Sequence, residues 1–209
     1  MEIKINEVFN SLQGEGAYIG VPMIFVRTSG CTRICPFCDT KYHIEGQMID
    51  VNDLALQLRD MLLETKVQII CWTGGEPLIW REQIKQVIEK LRNIYTLPVK
   101  FHLETNGDLL ENYSDMQIFD YIACSPKDKK TLDKITEKGL PLPDIKVVTD
   151  LETEGVDMIG KATMLMPLST YRKKVDKEIE KRVWRHCVKF NKRYCPRIQY
   201  TVWGKTKGI

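Results

Sequence analysis

No apolar run among the 209 residues approaches the roughly 18 that a membrane span requires, which excludes a helical membrane protein. The opening Met1-Glu-Ile-Lys-Ile-Asn-Glu7 lacks the apolar centre of a secretory signal, so a cytoplasmic setting is expected. There is no internal repeat, low-complexity tract or linker-like stretch, and a chain of this length predicts one domain over residues 1–209. A second cysteine pair of the kind a structural zinc site uses is also missing. In a reducing compartment the seven cysteines predict metal ligands or buried thiols rather than disulfides.

Charge is plentiful but uneven. From Ser169 to Ile209 there are 13 Lys/Arg against 3 Asp/Glu, whereas the preceding 168 residues carry 18 against 25. A basic end of this kind suits an acidic protein or a nucleic acid, or is simply a solvated helix face.

Short β-rich runs alternate with helical stripes. Strands are expected at Ile3–Phe9, Met23–Thr28, Val67–Trp72, Val99–Leu103, Tyr121–Cys124, Ile145–Val148, Thr163–Met166 and Arg197–Trp203. Apolar residues at Val51, Leu54, Ala55, Leu58 and Leu62 predict a helix over 51–66, with Asp50 as N-cap. Ile84, Val87, Ile88, Leu91 and Tyr95 mark a second helix. Asp128–Lys138 predicts a short polar helix ended by Gly139 and the Pro141/Pro143 pair. Val175, Ile179, Val183 and Cys187 space a long basic one.

Repeated strand-then-helix units predict an α/β fold with a mostly parallel, curled sheet. Six core strands are too few for a closed eight-stranded barrel, so a partial TIM-like barrel is expected. Ligands of such sheets sit at the carboxyl ends of the strands. The polar motifs obey that rule. Thr73-Gly-Gly-Glu-Pro77, Glu104-Thr-Asn-Gly107 and Ser125-Pro-Lys127 each follow a strand, and a cysteine loop follows Thr28.

That loop is Cys31-Thr-Arg-Ile-Cys35-Pro-Phe-Cys38, three thiols within eight residues. Iron–sulfur clusters usually take four cysteines, so three leave one iron of a 4Fe–4S cluster open for a ligand. A zinc site completed by His43 remains an alternative, as does an auxiliary cluster on Cys187 and Cys195. Cys71, Cys124 and His102 fall in expected core strands and His186 on the basic helix, where structural roles suffice.

The C-x3-C-x2-C loop, with Phe37 before its last cysteine, resembles that of the radical S-adenosylmethionine superfamily. The Gly74-Gly75-Glu76-Pro77 run resembles its second motif. In that superfamily the open iron holds the amino and carboxylate groups of S-adenosylmethionine, and one electron releases a 5′-deoxyadenosyl radical. Glycines there permit close backbone approach, and Glu76 can accept from the cofactor ammonium.

A finer resemblance, to the 7-carboxy-7-deazaguanine synthase family, runs nearly end to end. It rests on Glu7-Val-Phe-Asn-Ser-Leu-Gln-Gly-Glu-Gly16, Gly20-Val-Pro22, Phe25-Val-Arg27, Cys38-Asp-Thr40, Thr73–Leu78, Glu104–Gly107, Ser125–Lys127 and Pro196-Arg197. This resemblance implies a Mg²⁺-assisted ring contraction of 6-carboxy-5,6,7,8-tetrahydropterin, with release of ammonia and regeneration of S-adenosylmethionine. It also implies a homodimer; no direct nucleic-acid partner is expected.

Residue by residue, the resemblance places the cluster on Cys31, Cys35 and Cys38, and magnesium on Thr40. Cofactor contacts fall to Phe37, Cys38, Asp39, Gly75, Glu104, Ser125, Pro126 and Lys127. Substrate contacts fall to Leu12, Gln13, Gly14, Glu15, Arg27, Thr73 and Ile209. The chemistry agrees. Glu15 can accept from the guanidine-like pterin edge, and Arg27 can fork onto a carboxylate. Met166-Pro167-Leu168-Ser169 offers an adenine wall.

Family members commonly carry histidine where this chain has Gln199, an amide that keeps one donor and one acceptor. The cluster needs an external electron, so an acidic donor such as flavodoxin is expected, steered by the basic stretch between Tyr171 and Arg193. Two rivals stay open. A glycyl-radical activase would share the cysteine loop without the Gln13-Gly14-Glu15 block, and a zinc module would bind RNA through the basic end.

Overall fold

Ile70, Cys71 and Trp72 are fully buried in succession, as in a parallel strand covered on both faces. They lie in the fourth of nine strands in a computed structural model that describes residues 1–38, 40, 44–110, 117–137, 143–204, 206 and 208. The strands are β1 (Glu2–Leu12), β2 (Pro22–Thr28), β3 (Gln47–Asp50), β4 (Ile69–Gly74), β5 (Lys100–Thr105), β6 (Tyr121–Cys124), β7 (Asp144–Thr149), β8 (Met164–Pro167) and β9 (Arg193–Tyr194). Helices α1 (Val51–Thr65), α2 (Arg81–Ile94), α3 (Lys129–Glu137), α4 (Lys173–Lys189) and α5 (Ile198–Trp203) connect or follow them.

One sheet holds all nine strands in the order β3-β1-β2-β4-β5-β6-β7-β8-β9. From β2 to β9 every neighbouring pair is parallel, while β1 runs antiparallel to both β2 and β3. Among the described residues the two edge strands do not meet, so the curled sheet is an open partial barrel.

The period of two along each strand separates core from cavity. Val26, Trp72, Leu103, Val147 and Leu165 face the main core, which the helical stripes of α1 and α2 close. Phe25, Arg27, Thr73, Glu104, Lys146, Val148 and Met166 face the other way and line a cavity. In α1 the Asp50 carboxylate accepts from the Asn52 N–H at 2.8 Å, the expected cap. The helix stops at Lys66, which is left-handed at φ 57°.

Residues 198–203 form helix α5, not the strand that the alternation Ile198, Tyr200, Val202 predicts. The place beside β8 is taken by β9, and α5 buries none of its residues. Period-two spacing alone does not make a strand, and after Tyr194 the chain leaves the sheet. What fixes the segment is docking: the Ile198 N–H donates to the Gly14 carbonyl at 3.0 Å. Strands β3 and β9 are edge strands that the sequence pattern does not reveal. The predicted end of the polar helix, Lys138 to Pro141, lies outside the described residues.

Candidate active site

A cavity of about 320 Å³ opens at the carboxyl ends of the parallel strands. All four polar loops reach it. The end of β1 contributes Leu12 and the loop after it Gln13, Gly14 and Glu15, and the loop after β2 contributes Cys31, Cys35, Phe37, Cys38 and Thr40. Thr73 and Gly75 come from the end of β4, Glu104 from β5, and Ser125 and Lys127 from the loop after β6. Pro126 is the exception: it is buried between two lining residues and is absent from the wall. Asp39, Ile209 and His43 lie outside the described residues.

The base of the cysteine loop is pressed against the Gly-Gly motif. A Cβ on Gly75 would lie 1.9 Å from the Gly30 carbonyl oxygen and 3.0 Å from the Cys31 Cβ. Gly74 has φ +132°, and a Cβ there would lie 2.3 Å from the Thr28 carbonyl oxygen. These glycines therefore serve a backbone-to-backbone contact that sets where Cys31 begins.

Glu76 differs from expectation. It is 0% exposed and does not line the cavity. Its oxygens accept from the Thr105 hydroxyl and the Asn106 N–H, each at 2.8 Å, and from the Leu78 N–H at 3.1 Å. Burial pushes its pKa up, and these donors offset part of the shift. Glu76 thus braces the Glu104–Gly107 loop instead of receiving the cofactor ammonium.

The cysteine loop is tied down by Arg33. Its guanidinium forks onto Asp108 with contacts of 2.6 and 2.5 Å, and a third nitrogen reaches Asp128 at 2.5 Å. Asn106 donates to the Thr32 hydroxyl at 2.9 Å and approaches the Cys31 sulfur at 3.8 Å. The Arg33 N–H lies 3.4 Å from the same sulfur. Donors already aimed at a thiol, with two further thiols on the same cavity wall, fit a polynuclear iron–sulfur cluster. Among the described residues, no three His, Cys, Asp or Glu side chains close around a single ion.

Arg27 pairs with Glu7 at 2.6 Å, and its Nη1 lies 3.4 Å from the Thr40 hydroxyl. It stands beside Thr73 across the β2–β4 ladder and over the Phe9 ring, which stacks on Phe25. Glu7 and Phe9 thus belong to the site without having been singled out individually in the sequence.

The opposite wall centres on a residue the sequence reading missed. Lys146, 5% exposed on β7, sits 2.6 Å from the Glu15 carboxylate and 3.0 Å from Glu104. Gln13 donates to Glu104 at 3.1 Å, and Gln199 donates to Glu15 at 2.8 Å. Burial raises the pKa of Glu15, but Lys146 and Arg197 together outweigh it and hold the group below its usual range. For Glu104 burial wins over Lys146, and the pKa rises. For Lys146 burial opposes the charge, yet the two carboxylates keep it firmly protonated. The signal available was a lone cation inside an apolar strand, the same signal that marks Arg27.

His102 is buried between the Tyr18 and Tyr121 rings, 4.4 and 5.1 Å from their centroids, and burial lowers its pKa to about 4. That fits its expected structural role. Of the Met166–Ser169 run expected as an adenine wall, Met166, Leu168 and Ser169 line the cavity, while Pro167 is buried and does not.

An open partial barrel with three loop cysteines beside a Gly-Gly motif defines a class. The chain matches the radical SAM superfamily over residues 25–153 and belongs to it. Members carry a 4Fe–4S cluster and S-adenosylmethionine, and the three thiols fit that requirement.

Its relatives narrow the class. A 7-carboxy-7-deazaguanine synthase from Rickettsia prowazekii is 34% identical over 145 residues, 67% of this chain and 58% of that relative. The chain thus spans less than two thirds of that protein's length. A namesake from Pyrobaculum aerophilum is 26% identical over 99% of this chain and 97% of its own. The crystal structure of QueE from Escherichia coli shares the fold, with a TM-score of 0.67 and 22% identity, covering 94% of each chain.

Proposed function

We propose that the chain is a 7-carboxy-7-deazaguanine synthase, converting 6-carboxy-5,6,7,8-tetrahydropterin to 7-carboxy-7-deazaguanine with loss of ammonia. The observation that carries this reading is the single cavity joining the Gln13-Gly14-Glu15 loop and Arg27 to the cysteine loop. A flat amide-edged ring with one carboxylate needs an acceptor at one edge and a forked cation at the other. Glu15, kept ionised by Lys146 and Arg197, supplies the acceptor.

Arg27 supplies the fork, with Glu7 holding its Nε so that the terminal nitrogens stay oriented. Thr40 would give magnesium its protein oxygen, with the substrate carboxylate and water completing an oxygen shell. Leu12, Gly14 and Thr73 add contacts along the ring, and Phe9 on Phe25 gives it an apolar face.

Cys31, Cys35 and Cys38 would hold the cluster. Phe37, Gly75, Glu104, Ser125 and Lys127 would hold S-adenosylmethionine. Together these cofactors supply one carbon-centred radical that removes and returns a hydrogen. The surrounding residues keep that radical away from solvent and fix the ring in one orientation.

An acidic flavodoxin-like donor suits the exposed basic face of α4, and a homodimer accords with the resemblance. Among the described residues, no helix is long and apolar enough to cross a membrane.

Anaerobic reconstitution followed by the tetrahydropterin, S-adenosylmethionine, Mg²⁺ and dithionite tests the reading. A deazaguanine product is expected. Its absence, with a fully loaded cluster, rejects the substrate and favours a different radical reaction.

A further inference from the structure

Lys146 stands at the meeting point of the two ends of the cavity. Its ammonium touches Glu15, on the loop after β1, and Glu104, at the end of β5. Gln13 holds the far oxygen of Glu104, and Gln199 holds the far oxygen of Glu15. Both carboxylates are therefore gripped on two sides, and Lys146 is the one group that grips both. Burying an ammonium at 5% exposure is costly unless its partners are fixed, so the arrangement specifies orientation more than stability.

We propose that Lys146 is a positioning residue that sets the Glu15 carboxylate toward the substrate and the Glu104 carboxylate toward S-adenosylmethionine. The substrate half of this inference rests on the function proposed above. The cofactor half rests on the place of Glu104 among the proposed cofactor contacts and not on the identity of the substrate.

The groups facing this trio come from several elements. Arg197 and Gln199 approach Glu15 from the segment entering α5, and Cys195 approaches Lys146 and Glu15 from the end of β9. Cys71 on β4, Tyr121 and Cys124 on β6, and Gln13 lie around Glu104. Arg197 is a second cation acting on Glu15. Removing the ammonium leaves two close carboxylates that share a proton, so ligand affinity acquires an acid limb.

The test compares Lys146→Gln, which keeps donors but loses charge, with Lys146→Arg, which keeps charge. Both are reconstituted with iron and checked for cluster absorbance. Dissociation constants for the tetrahydropterin and for S-adenosylmethionine are then measured between about pH 6 and 8. Lys146→Gln is expected to weaken each ligand about tenfold and to lose further affinity as pH falls. Lys146→Arg is expected to stay within about fivefold of the wild type with a flat profile. A merely structural role would shift melting without creating an acid limb.

The proposal is overturned if Lys146→Gln binds both ligands as the wild type does, or if its profile stays flat. Should that variant fail to load iron, an acid limb or tenfold loss in Lys146→Arg overturns it, and a flat near-native profile supports it. A wild-type protein that holds S-adenosylmethionine but not the pterin would reject the proposed substrate instead, leaving the cofactor arm to decide about Lys146.

Discussion

Replacing Gly75 by alanine tests how the cysteine loop is set. The added Cβ would lie 1.9 Å from the Gly30 carbonyl oxygen, well over an ångström inside normal contact. Both partners are backbone, so no rotamer change relieves the clash. The hydrogen bond from the Glu76 N–H to that same carbonyl, at 2.8 Å, would stretch or break. Overpacking of this kind costs about 1–3 kcal/mol, and backbone against backbone puts the substitution near about 3.

In a chain of 209 residues that lowers Tm by about 6–12 °C. Because Gly30 precedes Cys31, its displacement also moves the first thiol. Iron and sulfide per chain after reconstitution should fall below half of wild type. Gly160→Ala is the control, since a Cβ there meets nothing within 4 Å. Scanning calorimetry of the apoprotein and iron analysis read the two effects. If Gly75→Ala melts and loads iron like Gly160→Ala, the steric account of the Gly-Gly motif is wrong.

Arg33→Ala removes the fork onto Asp108 and the arm to Asp128; a partly exposed bidentate pair of this kind predicts a loss of about 1–2 kcal/mol and faster cluster decay in air, read by absorbance at about 400 nm. Arg33→Lys should recover less than half, because the fork is gone. His102, held neutral with a pKa near 4 against an unfolded 6.5, contributes stability that is complete above pH 6.5 and is lost as pH falls toward 4. Chemical denaturation should therefore show a drop of about 1–2 kcal/mol from pH 7 to 5 that His102→Phe abolishes; an equal drop in the variant refutes the assignment. Reduction by flavodoxin should slow with added salt and with charge reversal at Lys173, Lys174 and Lys177, all exposed on α4; a rate indifferent to both would exclude steering by that face.

The convergence of four polar loops on one rim was readable because each follows an apolar strand, and strand ends of one parallel sheet share a side. What escaped has physical causes. Lys146 gives a one-residue signal inside a strand of six, where the cysteine loop and the Gly-Gly motif each give several residues. Glu76 sits in a motif whose spacing does not tell whether a carboxylate turns to the cavity or into the core. Residues 198–203 alternate like a strand, but the chain leaves the sheet after β9 and docks on Gly14, a tertiary fact the alternation does not carry. Strands β3 and β9, four and two residues long, are too short for periodicity to register.

The contacts between residues 14–16 and 195–199 join parts of the chain up to 184 positions apart. The Gly16 N–H meets the Cys195 sulfur at 3.1 Å, and Gln199 closes on Glu15. During synthesis, the loop that is made first must wait for residues 195–199 to emerge before its wall is complete. A ribosome-bound chain can therefore display its thiols long before it can recognise a substrate. The interval between the two is set by the stretch of chain that separates residues 14–16 from residues 195–199.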